Sequence, residues 1–243
     1  MQRRVKLYNA TEGNLPGINC SKCRNKGKIA SLNADGIEVM KECGCIKARA
    51  VNDRAAEYMA AYGIDMKSTT FDQYETPEEW QKTAKMSAKC FADQFGNFDK
   101  NWLYIGGQNG AGKTHLCTAV CTELVRKQYA VHYESWKSLV QKLEALRFDE
   151  GYEDLIIKVQ NAEVLFIDDL LKQKDKSKLP NELNLAFEIL DVRSRSKKAT
   201  IISSEWLIDD LFKLDAGLAG RIRQMAYLIQ IAYNEGRDWR ARV

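Results

Sequence analysis

Two rhythms of apolar and polar residues run along this chain. Beyond residue 100, five short strand-like runs recur: WLYIG (102–106), AVHYE (130–134), VLFID (164–168), ATIIS (199–203) and AYLIQI (226–231). The stretches between them carry apolar residues at helical spacing. They predict one helix running to about Lys127 and another from Ser135, a capping residue type, to Arg147. Further helices are expected over about 180–195, from about Trp206, and near 217–224. Strands alternating with helices imply βαβ units and a parallel sheet covered on both faces. Upstream, IKARAVNDRAAEYMAAY (46–62) predicts a helix closed by Gly63. A connector follows, then a helix from Thr76 with Pro77 in its first turn. The first 48 residues show little periodicity of either kind.

Composition narrows the class. With 45% hydrophobic and 29% charged residues over 243 positions, the chain can bury a core and carry a small appendage. No apolar run approaches the roughly 18–20 residues of a membrane span. The basic start MQRRVKLYNATEG lacks the apolar stretch of a secretory signal, so a cytoplasmic location is expected. The net charge of +4 is mild, but residues 1–30 hold seven Lys/Arg against one Glu. The runs KQKDKSK (172–178) and RSRSKK (193–198) are also basic. Such clusters suit a polyanion, and equally a solvated face.

The turn after the first strand of the alternating region carries specific chemistry. Gly107, Gln108, Asn109, Gly110, Ala111, Gly112, Lys113 and Thr114 fit G-x-x-x-x-G-K-[ST] between a strand and a helix. Glycines let successive backbone N–H groups surround a phosphate, and the helix that follows points its positive end at the same anion. Lys113 is expected at the β- and γ-phosphates and the Thr114 hydroxyl on Mg²⁺, with His115 closing the nucleotide-binding stretch. At the end of VLFID, Asp168 is expected to hold Mg²⁺ and Asp169 to orient an attacking water. Ser203 and Ser204, ending ATIISS, are placed either to touch the γ-phosphate or to cap the next helix.

The seven cysteines divide into two groups. Cys20-x-x-Cys23 and Cys43-x-Cys45 supply four thiolates, enough for a closed structural Zn²⁺ site. Neither histidine, His115 or His132, lies near them, so the set would be Cys₄; the alternative is four reduced thiols without metal. A segment so small and polar needs a staple to hold a fold. Cys90, Cys117 and Cys121 fall on expected helices and read as small buried apolar residues.

The arrangement resembles AAA+ ATPases, and more narrowly the bacterial and phage replicative-helicase loaders of the DnaC/DnaI type. The resemblance rests on FDQY (71–74), GGQNGAGKTHL (106–116), LFIDDL (165–170), ATIISSEWLIDDL (199–211), LAGRIR (218–223) and WRARV (239–243). It covers about 70–243. The DnaI branch also carries an N-terminal zinc-binding domain with CxxC and CxC elements. The resemblance implies an α/β fold: a three-layer αβα AAA+ domain with a parallel sheet over about 76–243. Ahead of it come a helical linker and connector over 49–75 and a small Cys₄ zinc-binding domain over 1–48. It implies ATP, Mg²⁺ and Zn²⁺ as cofactors, and the replicative helicase and single-stranded DNA as partners. A homo-oligomer when ATP is bound is also implied, with Arg221 as an arginine finger and Ser203 at the sensor-1 position.

Two departures shape the expected activity. Asp169 stands where many AAA+ proteins have Glu, so hydrolysis is expected to be slow and partner-stimulated. Only 22 residues follow Arg221, too few for a full helical lid, so a truncated lid is expected, with Arg237 or Arg240 as substitutes for its arginine. Lys137, Lys142 and Arg147 are candidates for DNA contact or simply for a solvated face. The competing readings are a transposition regulator resembling the IstB family, a small-molecule P-loop kinase, and an ATP-binding adaptor. A Cys₄ element in front of the ATPase favours the loader.

Overall fold

The computed structural model describes residues 1–15, 20–97, 99–172, 175–234 and 237–238. Arg240 and the WRARV ending lie outside the described residues. Five strands make one parallel sheet: β3 (Trp102–Gly107), β4 (Val131–Ser135), β5 (Val164–Leu170), β6 (Ala199–Ser204) and β7 (Ala226–Ile231), in the order β4-β5-β6-β3-β7. The inner strands β3, β5 and β6 are mainly apolar because both faces are covered, while the edge strands leave His132 of β4 partly exposed and Tyr227 and Gln230 of β7 exposed. In β3, Leu103 and Ile105 point to one layer and Trp102 and Tyr104 to the other. The first layer holds α2 (Gly44–Ala61), α3 (Glu79–Asp93) and α4 (Lys113–Arg126). The second holds α5 (Trp136–Ala145), α6 (Gly151–Asn161), α7 (Leu179–Arg195), α8 (Ile208–Leu214) and α9 (Ala216–Met225). This is the α/β, three-layer architecture expected from the alternation. None of the described helices is long and apolar enough to cross a membrane.

Ahead of the sheet, helix α1 (Gln2–Ala10) packs on an antiparallel hairpin of β1 (Lys28–Leu32) and β2 (Glu38–Glu42). The first segment is therefore more regular than its weak periodicity suggested. The helix buries no residue, so it leaves no apolar stripe in the sequence. Asn33 sets the hairpin turn, its Oδ1 accepting from the N–H groups of Asp35 and Ile37. Asn9 ties the helix to β1, its amide bonding both N–H and C=O of Ala30.

Further corrections concern helix boundaries and one cysteine. The helix expected from Thr76 begins at Glu79: Gln81 Oε1 accepts from the Glu78 N–H at 3.1 Å, which leaves Pro77 outside the helix. The helix expected to reach Arg147 ends at Ala145, and Ser135 precedes it without a side-chain cap. A separate helix, α6, follows, packing Ile156 and Val159 inward. Cys90 is exposed, because α3 buries Ala84, Ala88, Phe91 and Ala92 instead; Cys117 and Cys121 are buried.

Helix α2 covers the edge strand β4. Asn52 on that helix is buried and completes the ladder with its side chain: Oδ1 accepts from the Val131 N–H at 2.8 Å and Nδ2 donates to the Tyr129 carbonyl at 3.0 Å. An amide has one acceptor and one donor in the geometry of a peptide group, so it serves as a one-residue substitute for a neighbouring strand. Arg193 is a second buried polar anchor. Within the basic run 193–198 it is fully buried rather than solvated. Its Nη1 donates to the carbonyls of Val159, Gln160 and Ala162 at the end of α6, and its Nε to Thr200 Oγ1. A cation there satisfies orphan carbonyls and complements the helix dipole.

Candidate functional site

All five strands end at the same side of the sheet, and the loop after β3 sits there, as nucleotide sites of parallel α/β folds do. Gly107 has φ +122° and Gly112 has φ +79°. A side chain at Gly107 would overlap the backbone of Ile231, and one at Gly112 would press on the Tyr74 ring. Only glycine lets the loop pass between strand β7 and the connector. Tyr74, from FDQY, donates its hydroxyl to the Ala111 carbonyl at 3.2 Å and so braces the loop from outside. A cavity of about 330 Å³ opens in front, lined in part by Asn109 to His115, Tyr74, Asp169 and Lys172.

Lys113 and Thr114 open helix α4. The Lys113 ammonium donates to the carbonyls of Gly107 (2.8 Å) and Gln108 (2.7 Å), inside the loop. Burial lowers its pKa, because an ammonium loses solvation there; nearby Asp169 and Glu205 work the other way. Thr114 Oγ1 donates to Asp168 Oδ1 at 2.8 Å, and Ser203 Oγ donates to the same oxygen at 2.5 Å. Tyr133, from β4, donates to the other oxygen, Oδ2, at 3.3 Å. Burial nevertheless raises the Asp168 pKa, with Ser203 and Thr114 opposing it and Asp169 adding to it. Both groups have lost hydration, so each gains when a phosphate or a cation supplies the missing countercharge.

The residues singled out in the sequence divide between this cavity and the rest of the molecule. Lys113, Thr114 and Asp169 meet at the cavity, with Asp168 bonded to Thr114 behind them. Ser203 is fully buried between the two acids, since its Oγ also accepts from the Asp169 N–H at 2.8 Å. Ser204 turns away to the Leu170 carbonyl and accepts from the Trp206 N–H. His115 lines the cavity but bonds the Thr70 carbonyl through its ring N–H and packs edge-on against Tyr74. Arg221 lies elsewhere, on α9, its Nε paired with Asp191 at 2.5 Å and its guanidinium over Phe187. Arg237 stacks over Trp80. Lys142 is held by Tyr58 and Glu134, Lys137 is exposed, and Arg147 lies beside the exposed Phe148.

Sequence reasoning missed three polar groups here: Tyr133, Lys172 and Glu205. Lys172 bridges Asp169 Oδ2 (3.1 Å) and Glu205 Oε1 (2.9 Å). In the sequence it is one lysine of the basic run 172–178. A tyrosine two residues before the end of a strand carries no signal that it will meet an aspartate on the next strand.

The four cysteines converge. The sulfurs of Cys20, Cys23, Cys43 and Cys45 all lie within 4.8 Å of one another and are buried. Cys20 and Cys43 are 3.8 Å apart, Cys23 and Cys45 3.6 Å. A tetrahedron with Zn–S bonds of about 2.3 Å has edges of about 3.8 Å, so the donor set fits Zn²⁺ in number, type and spacing. Burial would raise the Cys23 thiol, but hydrogen bonds from the Gly27 N–H and neighbouring thiols overcome it and bring the pKa down to about 7. The knuckle turns on Arg24 and Asn25, both with positive φ. Cys45 lies in the first turn of α2, so the cluster and that helix are continuous.

Comparison with known proteins places this geometry in a family context. The model of the IstB-like ATP binding protein family matches residues 46–220. Among curated proteins, phage-like element PBSX protein XkdC of Bacillus subtilis (strain 168) is 28% identical over 243 aligned positions, covering 90% of this chain and 85% of that protein. Replicative helicase loader DnaC of Escherichia coli (strain K12) is 25% identical over 183, covering 72% of this chain and 73% of DnaC. A solved DnaC helicase loader superposes with a TM-score of 0.57 at 23% identity, over 68% of this chain and 98% of that one.

Proposed function

This chain belongs to the IstB-like ATP binding protein family, a family of AAA+ ATPases, and on that premise we propose that it is an ATP-dependent loader of a replicative DNA helicase. The observation that carries the proposal is the joining of a P-loop ATPase site to a Cys₄ cluster through one helix, α2, in a chain that resembles helicase loader DnaC over most of its length. ATP would take its phosphates to the loop N–H groups, with Lys113 at the β- and γ-phosphates. Thr114 and Asp168 would hold Mg²⁺, which when bound neutralises phosphate charge. Asp169 would orient the attacking water, and Ser203 fixes its backbone through the 2.8 Å bond to its N–H. Because the Asp169 carboxylate is short and already paired with Lys172, turnover is slow until a partner rearranges the site. Arg221, half-exposed on α9, is the group offered to the γ-phosphate of a neighbouring copy in an ATP-bound oligomer.

Zn²⁺ would be held by Cys20, Cys23, Cys43 and Cys45 and would act structurally, since all four positions are filled by thiolates. The surface it organises is read as a docking face for the helicase, with single-stranded DNA as a second partner. The IstB description of the matching family keeps a second reading open, a transposition-associated regulator that binds DNA. The test is a pull-down of the cognate replicative helicase with and without ATP, using Lys113→Ala as the control. A helicase complex that responds to ATP in the native chain and not in the variant is expected. No complex under either condition would shift the assignment to the transposition reading.

A further inference from the structure

We propose that Lys172 is the side chain that distinguishes ATP from ADP, by donating to the γ-phosphate from a cradle made by Asp169 and Glu205. This rests on the reading of the cavity as an ATP site and assigns a role to a residue outside the loop motif.

The backbone gives the first reason. Asp169, at a bulge of β5 where the pairing with β6 shifts between Ile167 and Leu170, and Leu171, in the turn just past the strand, have φ +58° and +57°. The left-handed region is costly for residues with a Cβ, and it persists where surrounding contacts enforce it. Those contacts are present: Lys172 N donates to the Asp169 carbonyl at 3.0 Å, Trp206 Nε1 donates to the Leu171 carbonyl at 3.2 Å, and Leu171 is itself buried. The turn brings Lys172 back to line the same cavity as Lys113 and Thr114.

Charge gives the second. The Lys172 ammonium lies 3.1 Å from Asp169 and 2.9 Å from Glu205, which follows β6 directly. All three charges are felt at Lys113. An ordinary surface ion pair contributes little and would not explain two left-handed residues built to position it. An ammonium has three donors; one is given to Asp169 Oδ2, and Glu205 Oε1 is held as an ion-pair partner outside hydrogen-bond geometry. Among the described residues, Lys113 and Lys172 are the two ammonium groups lining the cavity, alongside the carboxylates of Glu75 and Asp169, with Glu205 close enough to act on Lys113. A polyphosphate needs cations there. Lys113 belongs to the loop and serves the phosphates that ADP and ATP share; Lys172 stands on the Asp169 side, where the terminal phosphate is expected. The two carboxylates keep the ammonium charged and localised, and they yield it to the more highly charged γ-phosphate.

The experiment measures dissociation constants for ADP and a non-hydrolysable ATP analogue, by displacement of a fluorescent nucleotide, in the native protein, Lys172→Met, Lys172→Arg and Glu205→Gln. Lys172 is 41% exposed, so methionine keeps the stem without disturbing the fold. Lys172→Met should weaken the analogue about tenfold or more, the scale of one charged hydrogen bond, and change ADP less than about twofold. Lys172→Arg should keep the preference for the analogue, and Glu205→Gln, which takes away half of the cradle, should lessen it. Equal weakening of both nucleotides, or no change in either, would overturn the assignment while leaving the ATP site in place. A native protein that binds neither nucleotide would overturn the ATP reading and this one with it.

Discussion

Removing metal from the four-cysteine cluster should unfold the chain ahead of α2 and leave the nucleotide core standing. The magnitude follows from what is buried there. Beside the cysteines, the apolar residues packed on the cluster among the described residues are Ile29 and Ile46, both partly buried. Full burial of two such side chains would contribute roughly 3–6 kcal/mol. A two-stranded hairpin such as β1–β2 is marginal alone. A structural Zn²⁺ on thiolates contributes about 10–16 kcal/mol, more than the packing of these two side chains. Helix α2 has separate anchors in Asn52 and Tyr58, so the damage should stop near Gly44. The assay is limited proteolysis with mass spectrometry, read alongside metal content, in chelated protein and in Cys43→Ser. New cleavage within residues 20–42 is expected, with peptides beyond 76 still protected and nucleotide binding retained. Protein that carries no zinc as purified, yet resists protease over 20–42, would refute the reasoning.

Two substitutions probe the core of the site and of the fold. Tyr133→Phe keeps the ring packing and deletes one donor to Asp168; the Mg²⁺ concentration needed for half-maximal ATPase activity should rise by roughly tenfold, as for other groups that orient a metal ligand, with metal-free nucleotide binding unchanged. An unchanged Mg²⁺ requirement would show that Thr114 and Ser203 suffice to hold the carboxylate. Arg193→Met should cost about 3–5 kcal/mol in chemical denaturation, because it strips the donors from the carbonyls closing α6. A loss under about 1 kcal/mol would mean that water replaces the guanidinium there.

The sheet was legible because its inner strands are buried on both faces, so β3 and the VLFI run of β5 read as uninterrupted apolar stretches. The loop was legible because phosphate binding demands glycine at set positions. The first 42 residues were not, because α1 buries nothing and the hairpin buries one residue, Ala30. Helix α6 does carry a signal, Tyr152, Leu155, Ile156 and Val159 at helical spacing, but over a short span. The bracing of Asp168 by Tyr133 depends on neighbouring strands, whose register pairs Ser135 with Asp168, and the cradle of Lys172 depends on a strained turn. Neither leaves a mark on local sequence.

The bonds from Asn52 to the edge of β4 decide where this protein can be cut. A division after residue 48 falls within α2, and a fragment beginning at residue 76 loses that helix altogether. Such a fragment would present the bare N–H of Val131 and the carbonyl of Tyr129 on an outer strand of a parallel sheet. Unpaired strand edges recruit other strands, so the shortened ATPase should tend to self-associate or aggregate. Self-assembly measured on it would then report a wound rather than the ATP-driven association of the native chain. Fragments meant for oligomerisation studies should begin before Gly44, or carry a charged residue on β4 to guard the exposed edge.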